Sequence, residues 1–158
     1  MSDTPRDGPM PQPYEFVVTT RPLVVRKRVR WADCDPAGVV YTGRFCDYLL
    51  AAAGCFFDVI GQGNYWRWLA ELEVDTPCKG LELEFQTALW PEDTFDMAIA
   101  VSAIRTHSYD LHIEATQPGG RRVFAGRFSP VCIRRGVRAR TPIPEPMRAA
   151  LEAHRLAG

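Results

Sequence analysis

The most regular apolar pattern in the chain has the spacing of an α-helix. Between residues 45 and 60, apolar side chains recur every three or four positions and form one continuous stripe. Its members are Phe45, Tyr48, Leu49, Ala52, Ala53, Phe56, Phe57 and Ile60. The opposite face carries few charges, so the pattern predicts a long, mostly buried helix that ends at Gly61.

The other segments alternate with a period of two, which is typical of β-strands. A first strand is predicted from Leu23 to Trp31. Lys27 interrupts its inward row, which otherwise consists of Val25, Val29 and Trp31. Four further strands are predicted over residues 81–89, 95–103, 109–116 and 122–133, and short helices over 65–72 and 144–156. Hairpin turns are predicted at 90–93, 105–107 and 117–120, so these four strands form a meander.

This order of elements predicts an α+β fold in which one antiparallel sheet wraps around the buried helix. A mobile tail is expected over the proline-rich residues 1–13, and a single domain over residues 14–158. A meander leaves an edge strand with unpaired backbone groups. A partner copy of the chain could cover this edge, so a homodimer is expected.

Composition narrows the functional classes. The 158 residues carry a formal net charge of zero, which disfavours nucleic-acid binding because that class usually shows a basic excess. The five cysteines form no Cys-x-x-Cys pair, so neither a zinc site nor a disulfide framework is expected. No apolar run is long enough to span a bilayer. We therefore expect a cytoplasmic protein with free thiols and no membrane partner.

The segment between the first strand and the helix is the best candidate for a site of chemistry. It contains two carboxylates, Asp33 and Asp35, and Pro36 predicts an extended loop. It leads into a helix N-terminus, whose unpaired N–H groups can polarise a carbonyl oxygen. A carboxylate beside such donors can attack the carbonyl or activate water, which suits acyl transfer. In the alternative interpretation the carboxylates only cap the loop.

The segment Asp33-Cys34-Asp35-Pro36-Ala37-Gly38-Val39-Val40-Tyr41 resembles the signature of the 4-hydroxybenzoyl-CoA thioesterase family. A second, weaker match is Asp75-Thr76-Pro77, and the likeness covers about residues 22–135. The resemblance implies a hot-dog fold, an antiparallel sheet around one long central helix. It also implies an acyl-CoA thioesterase that releases a free acid and CoA, with 4-hydroxybenzoyl-CoA as the family substrate and no metal or redox cofactor.

The resemblance assigns roles to individual residues. Asp35 becomes the catalytic carboxylate, as nucleophile or as general base. The backbone N–H of Thr42 or Gly43 becomes the oxyanion donor, at a place where this chain departs from the Tyr-Pro of the closest family pattern. That departure bears on the shape of the pocket. The residues expected to contact substrate are Asp33, Gly38, Val40, Tyr41 and Arg105. Asp33 has two open roles, support of Asp35 through like-charge repulsion or plain capping.

Other features remain as rivals or secondary candidates. A hydratase or dehydratase of the same fold would need a histidine near the helix, whereas His107, His112 and His154 lie far downstream. A non-catalytic acyl-CoA-binding protein is a second rival. Cys46 is a secondary nucleophile candidate near the helix start. Arginines that could meet CoA phosphates are Arg105, Arg121, Arg122, Arg134 and Arg135. The family resemblance implies a homodimer or a homotetramer with the pocket at a subunit interface.

Overall fold

The computed structural model of the protein describes residues 11–156. Its strands are β1 Glu15–Thr20, β2 Leu23–Arg28, β3 Val74–Asp75, β4 Cys78–Phe85, β5 Thr94–Ile104, β6 Tyr109–Thr116, β7 Arg122–Pro130 and β8 Ile133–Arg134. Its helices are α1 Thr42–Ile60, α2 Tyr65–Glu71 and α3 Glu145–Glu152, and a 3-10 turn covers Trp31–Asp33. Six strands form one antiparallel sheet in the order β1-β2-β5-β6-β7-β4, and β3 pairs with β8.

The sheet packs its inner face against α1. Every predicted member of the helical stripe is buried except Phe57, which is partly exposed. The facing rows on β5 and β6 are also buried, from Phe95 to Val101 and from Tyr109 to Ala115. Gly126 on β7 allows the close approach, because a Cβ there would overlap Leu49 Cδ1. The predicted α+β hot-dog architecture is therefore confirmed.

One face of α1 is not covered by any part of residues 11–156. Leu50 is 43% exposed, and Gly54 is only partly buried, so the predicted mostly buried helix is buried on the face that meets the sheet and open on the other. The sheet curves around one side of the helix, and α2 and α3 flank it without closing the other side. Among the described residues no single helix is long and apolar enough to cross a membrane; α1 and α2 reach that length and composition only together, across a 58° bend.

The predicted meander is wrong in its first step. β5 pairs with β2, and β4 pairs with β7 at the far edge, so residues 90–93 belong to a crossing segment rather than a hairpin. Leu89, which is fully buried, anchors this crossing. Alternation predicts that a segment is a strand but does not say which strand it pairs with. The hairpins at 105–107 and 117–120 are confirmed, since each joins two paired strands.

Strand β1 was not predicted, although it forms one edge of the sheet. β2 ends at Arg28 rather than Trp31, and Trp31 is 82% exposed, so its predicted inward position is wrong. Three more boundaries differ. β4 lies at Cys78–Phe85 rather than 81–89, β7 stops at Pro130, and the terminal helix covers only Glu145–Glu152. Most of the predicted tail, residues 1–13, falls outside the described residues.

Candidate active site

Asp35 begins a tight turn, so the predicted extended conformation of this loop is wrong. Its backbone C=O accepts a hydrogen bond from Gly38 N at 2.9 Å, and its Oδ1 accepts one from Ala37 N at 2.8 Å. Asp, Pro and Gly stand at the first, second and fourth positions of the turn, where each is favoured in β-turns. Gly38 has φ +82°, a backbone conformation that strains residues with a side chain.

The turn leaves one oxygen of Asp35 available. Within residues 11–156 no donor reaches Asp35 Oδ2, and the residue is partly exposed. Asp35 N donates to Val39 O at 2.9 Å, and Cys34 pairs with Val40, so the two arms of the turn hold each other. Val40 N also donates to Leu89 O at 2.9 Å, which fixes the turn to the buried crossing segment. The carboxylate is thus positioned by its backbone and by one of its oxygens.

Asp33 has a different environment from Asp35. Tyr48 Oη on α1 donates a 2.8 Å hydrogen bond to Asp33 Oδ2, and Arg30 N donates to the same oxygen at 3.3 Å. Arg44 Nε lies 3.8 Å from Asp33 Oδ1, and the Asp33 side chain is only 13% exposed. The carboxylate therefore caps the 3-10 turn and ties it to α1. A direct contact between Asp33 and substrate stays a prediction.

The N-terminus of α1 lies beside the Asp35 turn. Tyr41 N donates to Asp33 O at 2.9 Å, which holds the first turn of the helix against the loop. No side chain caps this end of α1, and the N–H groups of Thr42 and Gly43 donate to no acceptor in the described part of the chain. Unpaired donors at the positive end of a helix dipole can stabilise an oxyanion.

Gly43 makes room for the ring of Tyr41. A Cβ at Gly43 would lie 2.7 Å from Tyr41 Cε1, so a larger residue would displace the ring. Tyr41 is 59% exposed, and its ring forms an open wall next to the helix start. A proline at position 43, as in the family pattern, would have no N–H. This chain therefore has one more backbone donor at the helix start than that pattern.

The ionisable neighbours of the two carboxylates stay protonated. Burial raises the pKa of the Cys34 thiol, and the charges of Asp33 and Asp35 raise it further. Burial also raises the pKa of the Tyr48 phenol, and its hydrogen bond to Asp33 adds to the effect. Thiolate and phenolate are thus disfavoured, so neither group competes with a carboxylate as nucleophile or base.

Arg105 lies far from this site within one copy of the chain. β5 begins beside the loop, where Val29 N donates to Asp93 O at 2.8 Å. It ends at Ile104, roughly 30 Å away at the rise of an extended strand. Arg105 Nη2 donates a 2.7 Å hydrogen bond to Asp110 Oδ2. The structure therefore does not bring Arg105 together with Asp35, and its contact with CoA stays a prediction.

The histidines do not gather at the start of α1. His107 lies in the turn between β5 and β6, where the predicted hairpin places it, and His112 lies on β6. His112 Nε2 lies 3.9 Å from Glu114 Oε2, and the buried His154 ring contacts Phe56 in the second half of α1. Across residues 11–156, no three His, Cys, Asp or Glu side chains are grouped as metal ligands.

A cavity of about 980 Å³ opens on the uncovered face of α1, between its second half and α2. We call it the α1–α2 cavity; its walls include Gly54, Phe57, Tyr65, Thr76, Ile133 and Arg138. Gly54 is about 18 Å along the helix from Thr42, at 1.5 Å per residue. The cavity and the Asp35 turn therefore lie at opposite halves of α1 within one copy.

Three tyrosine and threonine hydroxyls were missed as candidates from the sequence. Tyr48 was assigned to the apolar stripe alone, and Tyr65 and Thr76 were noted only as a helix start and a weak motif. A buried tyrosine usually finds a hydrogen-bond partner for its hydroxyl, so Tyr48 in a buried stripe was a usable signal. The contact between Tyr65 and Thr76 joins residues of separate elements and left no local pattern.

An antiparallel sheet around a central helix, with a carboxylate beside the helix start, defines a hot-dog domain suited to acyl transfer. A profile of the thioesterase-like superfamily matches residues 29–151, so the chain belongs to that superfamily. The prediction of a thioester hydrolase is confirmed at the level of this class. The narrower resemblance to the 4-hydroxybenzoyl-CoA thioesterase family is not confirmed.

Individual relatives agree with this class. A 1,4-dihydroxy-2-naphthoyl-CoA hydrolase from Thermosynechococcus vestitus is 25% identical over 130 residues, which is 81% of this chain and 87% of the relative. A thioesterase superfamily structure from Jannaschia sp. CCS1 has a TM-score of 0.78 at 27% identity, covering 94% of this chain and all of its own. The 1,4-dihydroxy-2-naphthoyl-CoA thioesterase of Synechocystis shares the fold, with a TM-score of 0.72 at 19% identity, over 81% of this chain and 93% of its own.

Proposed function

We propose that the protein hydrolyses an aromatic acyl-CoA thioester to the free acid and CoA, with Asp35 as the catalytic carboxylate. One observation carries this proposal. Asp35 Oδ2 accepts no hydrogen bond within the described residues, and it belongs to a turn held beside the unpaired N–H groups of Thr42 and Gly43. A positioned carboxylate and an oxyanion site together are sufficient for carboxylate-assisted acyl transfer.

In the proposed reaction the thioester oxygen accepts hydrogen bonds from Thr42 N–H and Gly43 N–H. These donors stabilise the negative charge that develops as the carbonyl carbon becomes tetrahedral. Asp35 either attacks that carbon, giving an anhydride that water then hydrolyses, or takes a proton from the water that attacks. In both routes the C–S bond breaks. In the general-base route the CoA sulfur takes the proton that Asp35 removed from water, and in the nucleophilic route it leaves as a thiolate that takes a proton from solvent.

The aromatic nature of the acyl group is inferred from a relative, from the loop signature and from the size of the cavity. The relative from Thermosynechococcus vestitus is named for a dihydroxynaphthoyl-CoA substrate, and the loop signature resembles enzymes of 4-hydroxybenzoyl-CoA. The α1–α2 cavity is large enough for one or two rings, since ligand pockets usually measure about 300–1,000 Å³. CoA phosphates would meet exposed arginines, among which Arg105, Arg122 and Arg135 remain candidates.

The proposed active site needs two copies of the chain, because the cavity and Asp35 are too far apart in one. Leu50 lies midway along α1 between Thr42 and Asp58, and it is 43% exposed. If two helices pack antiparallel with Leu50 at a two-fold axis, the N-terminus of one α1 lies level with the cavity of the other. Each copy would then give its Asp35 turn to one site and its cavity to the second.

The free edge strand β4 supports the same axis. Phe85, at the end of β4, contacts Phe45 near the start of α1, with ring centroids 5.0 Å apart. β4 therefore runs antiparallel to α1, and its midpoint lies near Leu81, which is 40% exposed. An antiparallel pairing of two β4 strands about Leu81 would satisfy both unpaired edges. The proposed assembly is a homodimer, which could pair further into a tetramer.

The first prediction concerns Asp35 itself. Asp35→Asn keeps the turn-forming oxygen but removes the negative charge, so we expect kcat on aryl-CoA thioesters to fall by about 10²–10⁴. Hydrolysis is measured by release of the CoA thiol from a panel of aromatic and aliphatic acyl-CoAs. The matched control is Glu152→Gln, which removes an exposed carboxylate that pairs with Arg155 at the end of α3, away from the proposed site and interface.

The panel also separates the proposal from its rivals. Full activity of Asp35→Asn would exclude Asp35 as the catalytic carboxylate. A wild-type protein that binds acyl-CoA without hydrolysing any member of the panel would instead be a non-catalytic binder. Addition of water to an enoyl-CoA with no loss of the thioester would identify a hydratase.

A further inference from the structure

The wall of the α1–α2 cavity combines an aromatic surface with buried hydroxyls. The rings of Phe57 and Tyr65 are stacked, with centroids 4.6 Å apart and planes at 16°. Leu69 and Ile133 add apolar surface to the same cavity. Such a lining suits a flat aromatic group, because aromatic side chains offer both area and edge-to-face contacts.

Three hydroxyls meet behind this surface. Tyr65 Oη lies 2.8 Å from Thr76 Oγ1 and 3.5 Å from Tyr109 Oη. Tyr109 is fully buried and Tyr65 is 8% exposed, whereas Thr76 is partly exposed and lines the cavity with Tyr65. Each hydroxyl has one proton to donate and lone pairs to accept. The two contacts use two of the three protons, so the group keeps one donor and several acceptor sites.

The phenols in this group stay neutral. Burial is the main cause that raises the pKa of Tyr65 and of Tyr109. Both therefore remain hydrogen-bond donors throughout the physiological range of pH and cannot act as bases. A group that enters the cavity meets hydroxyls in a largely apolar wall, where a hydrogen bond is strong and a missing partner is costly.

We propose that the Tyr65–Thr76 hydroxyl pair determines substrate specificity by hydrogen-bonding a hydroxyl on the ring of an aromatic acyl group. This inference rests on the proposed function, and it adds the part of the substrate that is recognised. In the two-copy site the thioester lies at the Thr42 end of one copy, and the ring extends into the cavity of the other. The pair then contacts the far side of the ring, away from the reacting carbon.

The position of the pair predicts a difference between matched substrates. An unsubstituted ring leaves the spare hydroxyl donor without a partner, whereas a hydroxylated ring satisfies it. A site that hydrogen-bonds a substrate hydroxyl discriminates against the analogue that lacks it. We expect at least one of the three monohydroxybenzoyl-CoA isomers to exceed benzoyl-CoA in kcat/KM by about tenfold or more.

The test measures the ratio of kcat/KM for the preferred hydroxybenzoyl-CoA to kcat/KM for benzoyl-CoA. It compares this ratio between the wild type, Tyr65→Phe, Thr76→Val and the double variant. Both substitutions remove a hydroxyl and keep the shape of the side chain. Each substitution should lower kcat/KM for the hydroxylated substrate, mainly by raising its KM, and should change kcat/KM for benzoyl-CoA little. The ratio of the two kcat/KM values should therefore approach one. Tyr14→Phe is the control, because the Tyr14 hydroxyl has no hydrogen bond within residues 11–156, and it should leave the ratio unchanged. Thermal unfolding checks that each variant is folded.

Binding gives a second measurement that does not need turnover. Calorimetric titration of Asp35→Asn with benzoyl-CoA and with the preferred hydroxybenzoyl-CoA should show the same preference in Kd, and adding Tyr65→Phe should reduce it. If the double variant keeps the wild-type ratio, or if no hydroxylated isomer is preferred in either measurement, the specificity proposal is wrong. Absence of hydrolysis with the binding preference intact would instead overturn the proposed function alone.

Discussion

Tyr48 joins the central helix to the loop that precedes it. Its ring lies in the buried stripe of α1, next to Phe95, with centroids 5.4 Å apart. Its hydroxyl donates to Asp33, and Lys27 Nζ lies 5.0 Å from the ring centroid. One side chain therefore contributes to the core and also fixes the distance between the helix start and the loop. We regard Tyr48 as a positioning residue for Asp35.

Removal of the Tyr48 hydroxyl should weaken both stability and catalysis. For Tyr48→Phe we expect a loss of about 1–3 kcal/mol in the free energy of unfolding, since a partly buried carboxylate loses a donor. We also expect kcat to fall while KM changes little, because the loop would lose a contact that places Asp35 but no contact with substrate. Urea unfolding and steady-state kinetics measure the two effects.

A double-mutant cycle isolates this contact. Tyr48→Phe combined with Asp33→Asn should give a coupling energy of about 0.5–3 kcal/mol, as residues in direct contact do. Tyr48→Phe combined with Glu152→Gln is the control, because Glu152 pairs with Arg155 at the end of α3 and lies outside the network of Tyr48, Asp33 and Arg44, so the two effects should add. Simple addition in the Asp33 cycle as well would show that the hydrogen bond does not hold the loop.

At the level of single residues, the sequence indicated the candidate loop around Asp35 but not how it is held. Asp35 and Gly38 were identified through the motif, and the turn explains why these residue types stand there. Lys27 looked like a defect in the inward row of the first strand. It pairs with Glu15 Oε2 at 2.7 Å, on a strand that was not predicted, so its partner could not be inferred from local spacing.

The β5–β6 hairpin carries an ion pair that should make stability depend on pH. The pKa of Asp110 lies below its ordinary value of 3.8, chiefly because Arg105 donates a hydrogen bond to it. The Asp110 side chain is only 5% exposed. A carboxyl whose pKa is lowered on folding contributes stability above its unfolded pKa, and this contribution is lost as the pH falls through the folded value.

The expected result is a stability that decreases on acidification below about pH 4 and a smaller decrease in Asp110→Asn. At neutral pH the variant should itself be less stable by about 1–3 kcal/mol, because the charged partner is lost. Urea unfolding at a series of pH values measures both effects, with Glu152→Gln as the control at an exposed carboxylate. If the free energy of unfolding of Asp110→Asn decreases below pH 4 as much as that of the wild type, the pH dependence comes from other carboxyl groups.

Elements were predictable where the side-chain period was long and uninterrupted. The stripe of α1 and the inward row of β6 from Tyr109 to Ala115 have such periods, and both lie where the sequence placed them. Strand partners were not predictable, because period alone does not encode pairing. β4 has the same alternation as a hairpin neighbour of β5, yet it pairs with β7, and the chain reaches β5 through a crossing segment that contains the buried Leu89.

Within residues 11–156 the six-stranded sheet has two unequal edges, β1 and β4, and we expect only one of them to form the proposed dimer. Leu81 on β4 and Val17 on β1 are each 40% exposed, on opposite edges. We expect Leu81→Arg to shift the protein toward monomer and to lower activity in parallel, because two copies are needed for one site. Val17→Arg adds the same charge to the other edge and should leave mass and rate unchanged.

Light scattering after size-exclusion chromatography, together with the thioesterase assay, measures this prediction. A monomeric Leu81→Arg protein with full activity would mean that one copy contains a complete site. A dimer that is lost in Val17→Arg but retained in Leu81→Arg would place the interface at β1. The sequence indicated the proposed assembly only through an unsatisfied edge strand, since no residue pattern identifies which edge would pair.

Gly54 lies about 18 Å from the start of α1, at a helical rise of 1.5 Å per residue. This separation has a genetic consequence for a cell that carries two different alleles. In the proposed dimer, damage to the Asp35 turn and damage to the cavity would be complementary defects. Two inactive forms, one lacking each part, would together rebuild one working site in every mixed pair. A cell with both alleles would keep part of the activity that neither allele supports alone.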